Sequence, residues 1–134
     1  MTGGTVPVPT PETEPFWAGT LAGELRVQRC NNCGRHYFYP RPFCPTCWSD
    51  DVAWKEASGR GTLYTYSIVH VNDLPPFAER VPYVAAVVEL DEGPRVMTNV
   101  EGVAFEDLRV EMPVVVDFKA ISDDITIPVF RAAP

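Results

Sequence analysis

Lysine and histidine are nearly missing from this 134-residue chain, with two of each. No apolar run comes near the ~20 residues that a membrane-spanning helix needs. The opening MTGGTVPVPTPETEP lacks the basic start and apolar core of a signal peptide, so the protein is expected in the cytoplasm with no membrane contact. No phosphate-cradling P-loop and no G-x-S-x-G nucleophile elbow is present. A surplus of positive charge is also lacking. The net charge is −7, with residues 61–134 carrying five basic and twelve acidic side chains. Only residues 26–60 are locally basic, through five arginines and one lysine against three acids. A generic grip on nucleic-acid phosphates needs a net basic surface, so that class is disfavoured.

What is present in small number is informative. All four cysteines fall in CNNCGRHYFYPRPFCPTCW (30–48), as two CxxC pairs ten residues apart. A reducing compartment keeps such thiols free and favours a metal over disulfides. Cys30, Cys33, Cys44 and Cys47 are therefore expected to hold one ion in a tetrahedron of sulfur. Gly34 supplies the open backbone that a CxxC knuckle needs, whereas the matching position after Cys47 is Trp48. Four sulfurs leave no open coordination position, which argues for structural Zn2+ rather than metal-assisted hydrolysis. Iron in the same cage, the less favoured ion, would make a rubredoxin-like electron carrier.

Around this module the periodicity predicts a mainly β chain. Residues 1–11, rich in Thr, Pro and Gly, read as a flexible leader or linker, suited to a domain cut from a longer polypeptide. A short helix is expected over 13–23, with Thr13 as N-cap, Gly23 at its end, and Phe16, Trp17 and Leu21 as its apolar edge. Three short strands at 24–29, 36–39 and 52–56 complete a helix-plus-ribbon unit over 12–57. Five further runs, at 62–71, 81–90, 95–101, 114–121 and 125–131, fill 58–134. A helical turn at 104–108 before the fourth run gives the order of a five-stranded OB-type barrel. Pro128 inside the last run marks an edge or a bulge.

Candidate catalytic groups are scarce once the cysteines are committed. His36 reads as a surface residue or a neighbour of the metal site rather than a ligand. His70 alternates with Tyr64, Tyr66 and Ile68, a stripe that suits a core better than a groove. On these grounds the chain is a poor enzyme by itself.

The residues resemble the acyl-CoA-associated zinc-ribbon/OB-fold family, long described as a domain of unknown function. The likeness runs through PFW (15–17), LRVQRCNNCG (25–34), YPRPFCPTC (39–47), W…ASGRGTLYTYSIVH (54–70), PYVAAVVELDEGPRVMTNV (82–100) and PVF (128–130). One departure is Glu111, where relatives usually show glycine before the Met-Pro turn. The resemblance implies a helix or helical hairpin, a rubredoxin-like zinc ribbon, and an OB barrel. It also implies an accessory role beside thiolase-superfamily enzymes. These include thiolases, hydroxymethylglutaryl-CoA synthases and lipid-transfer-protein-type aldolases that shorten steroid side chains; some members are fused to a MaoC-type hydratase.

On that reading the favoured function is support of retro-aldol cleavage of a CoA thioester in steroid or lipid side-chain degradation. The alternatives are a subunit of a thiolase or hydroxymethylglutaryl-CoA synthase complex, or a single-stranded nucleic-acid-binding protein. Arg35, Arg41 and Arg60 are candidates to meet CoA phosphates through forked hydrogen bonds. Phe16 and Trp17, Leu74 and Phe77 of LPPF (74–77), and Phe130 and Arg131 of PVFRAAP (128–134) are the expected partner interface.

Overall fold

The computed structural model describes residues 6–75 and 77–134. The first five leader residues and Pro76 of the LPPF segment lie outside the described residues.

After a turn anchored by the Glu14 amide on the Thr10 carbonyl (2.8 Å), the chain enters α1 (Glu14–Leu21). Thr13 occupies the N-cap position but makes no capping bond; its hydroxyl is taken up by the Thr10 amide at 2.8 Å. The helix ends as expected at Gly23, whose φ of +80° lets two amides reach back: Gly23 to Thr20 and Glu24 to Gly19. Its inner face is Phe16, Gly19 and Thr20 rather than the expected Leu21, which is 57% exposed. The small Gly19 allows Arg26 to lie across the helix, where a Cβ would come within 2.7 Å of the arginine stem.

A three-stranded antiparallel sheet follows, with β1 (Arg26–Cys30) between β2 (His36–Tyr37) and β3 (Val52–Glu56). β2 is shorter than its sequence suggests, because Phe38 turns inward against Phe16 (5.3 Å between rings) and Pro40 ends the run.

The remaining strands are β4 (Arg60–Val69), β5 (Tyr83–Leu90), β6 (Arg95–Val100), β7 (Pro113–Ala120) and β8 (Thr126–Ala132). They close in the order β4–β5–β6–β8–β7 and back to β4, with a short 3-10 turn at Phe105–Asp107 before β7. That order, with β6 and β8 parallel, is the OB-type barrel. β5 shows why the fold forms: Val84, Ala86, Val88 and Leu90 are all buried and the residues between them are not, the period of a half-buried strand.

β4 breaks this rule. Leu63 faces the core, but the register shifts between Leu63 and Thr65, so Tyr64 is extruded and the inward parity moves to Tyr66 and Ile68. The expected Tyr64–Tyr66–Ile68–His70 stripe is thus divided. Tyr66 and Ile68 pack on the core, whereas Tyr64 and His70 are exposed. At the start of β4, Gly61 is in direct approach to the Glu89 carbonyl, leaving no room for a side chain.

One continuous core spans ribbon and barrel. Phe16, Leu25 and Val27 join Leu63, Val88, Val114 and Phe130 in a single buried cluster.

Candidate metal centre and flanking surfaces

The two CxxC segments form matched knuckles at one end of the ribbon. In the first, the Cys30 amide donates to Arg35 O (2.9 Å) and the Gly34 amide to Cys30 O (2.8 Å). In the second, Cys44 donates to Ser49 O (2.8 Å) and Trp48 to Cys44 O (2.9 Å). Gly34 and Trp48 therefore occupy equivalent positions, and both are left-handed, at φ +80° and +67°. Trp48 adopts glycine's conformation and stacks on Phe43 at 5.2 Å between rings.

The four sulfurs lie within 4.8 Å of one another, with Cys30–Cys47 at 3.5 Å and Cys33–Cys44 at 3.7 Å. A tetrahedron with ~2.3 Å zinc–sulfur bonds has edges of about 3.8 Å, whereas a disulfide needs about 2.05 Å. The residues fit one tetrahedral ion, and as a closed sulfur cage they would contribute folding energy without an open position for substrate. Amides support the sulfurs: Cys33 donates to Cys30 Sγ and Thr46 to Cys44 Sγ, each at 3.4 Å.

The electrostatics of the four thiols are uneven. Donation from the Asn32 side-chain amide and the Ser49 amide brings Cys47 down to about 6. The Cys47 and Thr46 amides lower Cys44. Cys33 goes the other way, to about 11: the Arg35 amide pulls it down, but burial and the three neighbouring sulfurs push harder. A cation is what allows all four to be thiolates together.

Asn32, Gln28 and Tyr37 also serve the site, although sequence reasoning does not single them out. Asn32 reaches Cys47 Sγ at 3.5 Å. Buried Gln28 accepts the Arg41 amide at 2.6 Å, and Tyr37 donates to Arg41 O at 2.9 Å, fixing the loop that delivers the second knuckle. Polar residues next to a CxxC are the only signal, and a weak one. His36 pairs with Arg29 across β1 and β2 and is outside the donor cluster.

The other sequence candidates are scattered. Arg35 follows the first knuckle, Arg41 lies on the loop held by Gln28, and Arg60 opens β4; all three are exposed. Among the described residues none has a carboxylate within ion-pair distance. Phe130, expected at an interface, is fully buried, and Phe16 is 6% exposed; their side chains fill the core because β8 and α1 close over the barrel. Trp17 is half-buried against that core, Leu74 is exposed, and Phe77 sits beneath Arg80. Arg131 is exposed and bound to Asp117.

A closed four-sulfur ribbon joined to an OB-type barrel defines the class. Residues 17–53 match the family described as the ChsH2 rubredoxin-like zinc ribbon domain, and residues 54–119 match the ChsH2 C-terminal OB-fold domain. A DUF35 domain-containing scaffold protein of Methanocaldococcus jannaschii is 39% identical over 72% of this chain and 68% of its own length. The chain belongs to this ChsH2/DUF35 family of zinc-ribbon/OB-fold proteins. A probable enoyl-CoA hydratase alpha subunit of Thermomonospora curvata is 42% identical over 88% of this chain, which spans 37% of that relative's length. Among solved structures, a chain of the Ltp2–ChsH2(DUF35) aldolase superposes with a TM-score of 0.86 at 37% identity, over 96% of this chain and 99% of that one.

Proposed function

We propose that this chain is a non-catalytic accessory subunit of a thiolase-superfamily enzyme of the lipid-transfer-protein type, supporting retro-aldol cleavage of a CoA thioester. The observation that carries this reading is the end-to-end likeness to a chain of the Ltp2–ChsH2(DUF35) aldolase. The closed sulfur cage supports it, because it offers structure and no open site for chemistry. In this role Arg35, Arg41 and Arg60 meet CoA phosphates, and Trp17, Leu74, Phe77 and Arg131 contribute to the partner surface. A MaoC-type hydratase domain is a further partner in this proposal, supported by the likeness to a probable enoyl-CoA hydratase alpha subunit.

The experiment is co-expression with a thiolase-superfamily enzyme of the same organism. Co-elution, with aldol cleavage that depends on this chain, is expected. Separate elution with indifferent activity would overturn the reading. A second reading is a subunit of a thiolase or hydroxymethylglutaryl-CoA synthase complex, its thiolase arm supported by the 32% identity to a benzoylsuccinyl-CoA thiolase subunit of Geobacter metallireducens over 58% of this chain; stable capture of such an enzyme in place of the aldolase would select it.

The ion proposed for Cys30, Cys33, Cys44 and Cys47 is zinc. A colourless protein with one zinc per chain is expected, and a red protein absorbing in the visible would establish iron.

A further inference from the structure

The second knuckle carries a side chain that its fold does not call for. Gly34 fills the left-handed position of the first knuckle without strain, and the second fills the same position with Trp48 at φ +67°. The indole does not enter the core. It is 71% exposed, more than any other aromatic side chain among the described residues. Its aromatic neighbour is Phe43, whose ring lies 5.2 Å away and only 24° from parallel. The stack and the backbone strain oppose each other, so the pair adds little to the stability of the turn.

Other exposed aromatics are covered. Arg95 lies over the Tyr64 ring at 3.8 Å, and Tyr39 meets Phe38 edge-on at 6.0 Å. Beyond Phe43, no ring or cation covers Trp48 among the described residues. The platform is also rigid. The Trp48 amide donates to Cys44 O at 2.9 Å and the Cys44 amide to Ser49 O at 2.8 Å, and Cys44 and Cys47 tie the turn to the sulfur cluster. A large aromatic group held in one pose, on strained backbone and outside the core, has the form of a binding anchor. It loses little freedom when a partner closes on it.

The local charge selects the surface it can meet. The ribbon as a whole is basic, but residues 42–54 carry Asp50 and Asp51 and no cation. Both acids are exposed, and neither has a cation within ion-pair distance among the described residues. Four thiolates around a divalent ion would add further negative charge behind them. In a chain of net charge −7, a second copy would meet this end with repulsion, whereas a pocket rimmed by Lys or Arg would attract it.

We propose that Trp48, backed by Phe43, is the anchor through which the ribbon docks on its partner enzyme, the indole entering an apolar pocket whose basic rim faces Asp50. The inference rests on the accessory-subunit reading for the identity of that partner, and it adds a contact at the metal-tied knuckle that the reading does not contain.

The metal-loaded full chain is titrated with the thiolase-superfamily enzyme of the same organism, by calorimetry and by fluorine spectra of the chain labelled with fluorotryptophan. Trp48→Gly removes the indole and gives the turn the residue its φ favours. The urea midpoint of the free chain should therefore hold or rise while affinity for the enzyme falls about tenfold or more. Asp50→Lys should weaken binding about threefold at low salt and less at high salt. Val110→Ser, at an exposed apolar residue of the barrel, should change affinity less than about twofold. Of the three tryptophan resonances, the one missing from Trp48→Gly should shift when unlabelled enzyme is added; this spectrum decides should the midpoint of the variant fall instead. Full affinity in Trp48→Gly, or a Trp48 resonance that does not move in the complex, overturns the anchor and leaves the accessory role standing. Failure of the unaltered chain to bind the enzyme overturns both. Self-association of the free chain that Trp48→Gly abolishes assigns the anchor to a second copy and also overturns the proposal.

Discussion

Among the described residues two non-glycine side chains stand in a backbone conformation that L-residues avoid, Trp48 at φ +67° and Glu111 at φ +73°. Trp48 is irregular in the sequence itself, where it breaks the match to Gly34. The left-handed conformation costs a non-glycine residue roughly 1–2 kcal/mol, and glycine's extra freedom when unfolded returns about half of that. Glu111 is exposed and its amide still serves Leu63 O at 2.7 Å. Glu111→Gly should therefore stabilise the protein by about 0.5–1 kcal/mol, read as a higher midpoint in urea with an unchanged slope. The Asp117–Arg131 pair sets a pH response. Donation from Arg131, then from the Phe118 amide, holds the Asp117 carboxyl below its ordinary 3.8. Its stabilisation is present above that ordinary value and is lost as pH falls through the lowered folded value. Asp117→Asn should thus lower the melting temperature near neutrality and narrow the difference between about pH 7 and pH 2.5. An unchanged acid limb would show that the pair carries no linkage.

At the level of elements, the ribbon depends most on something outside its own side chains. Three strands of five residues or fewer bury little, and the paired knuckles tie them at one end. Removing the ion with a strong chelator should strip hydrogen-exchange protection from β1–β3 while Val88 and Val114 in the barrel keep theirs. Loss of protection at all of them together would mean that the shared core cannot stand without the ion. Much of this layer is legible in the sequence, because cysteine spacing and period-two runs are local signals. Val84 through Leu90 alternate cleanly, and the helical turn before β7 follows from AFEDL. What is not legible depends on tertiary context. The bulge at Tyr64 reverses parity in mid-strand with no residue to announce it. Leu21 looks apolar enough to be buried, yet the helix packs through Gly19 and Thr20, where the chain can approach closely. Phe130 sits in a terminal run that reads as surface, but β8 lies between β6 and β7.

Across the whole molecule, acidic charge and a closed cage narrow what the chain can meet. No helix among the described residues is long and apolar enough to cross a membrane. With a net charge of −7, single-stranded DNA should show no salt-sensitive retention even at about 50 mM salt; tight retention that weakens steeply with salt would restore the nucleic-acid reading. The cage itself is not symmetric toward water. Cys30 and Cys44, the first cysteine of each knuckle, are buried, while Cys33 is exposed and Cys47 half-exposed. Were an ion held there, a competing chelator would meet Cys33 and Cys47 before the buried pair, which takes one sulfur from each knuckle and so spans the two halves of the ribbon.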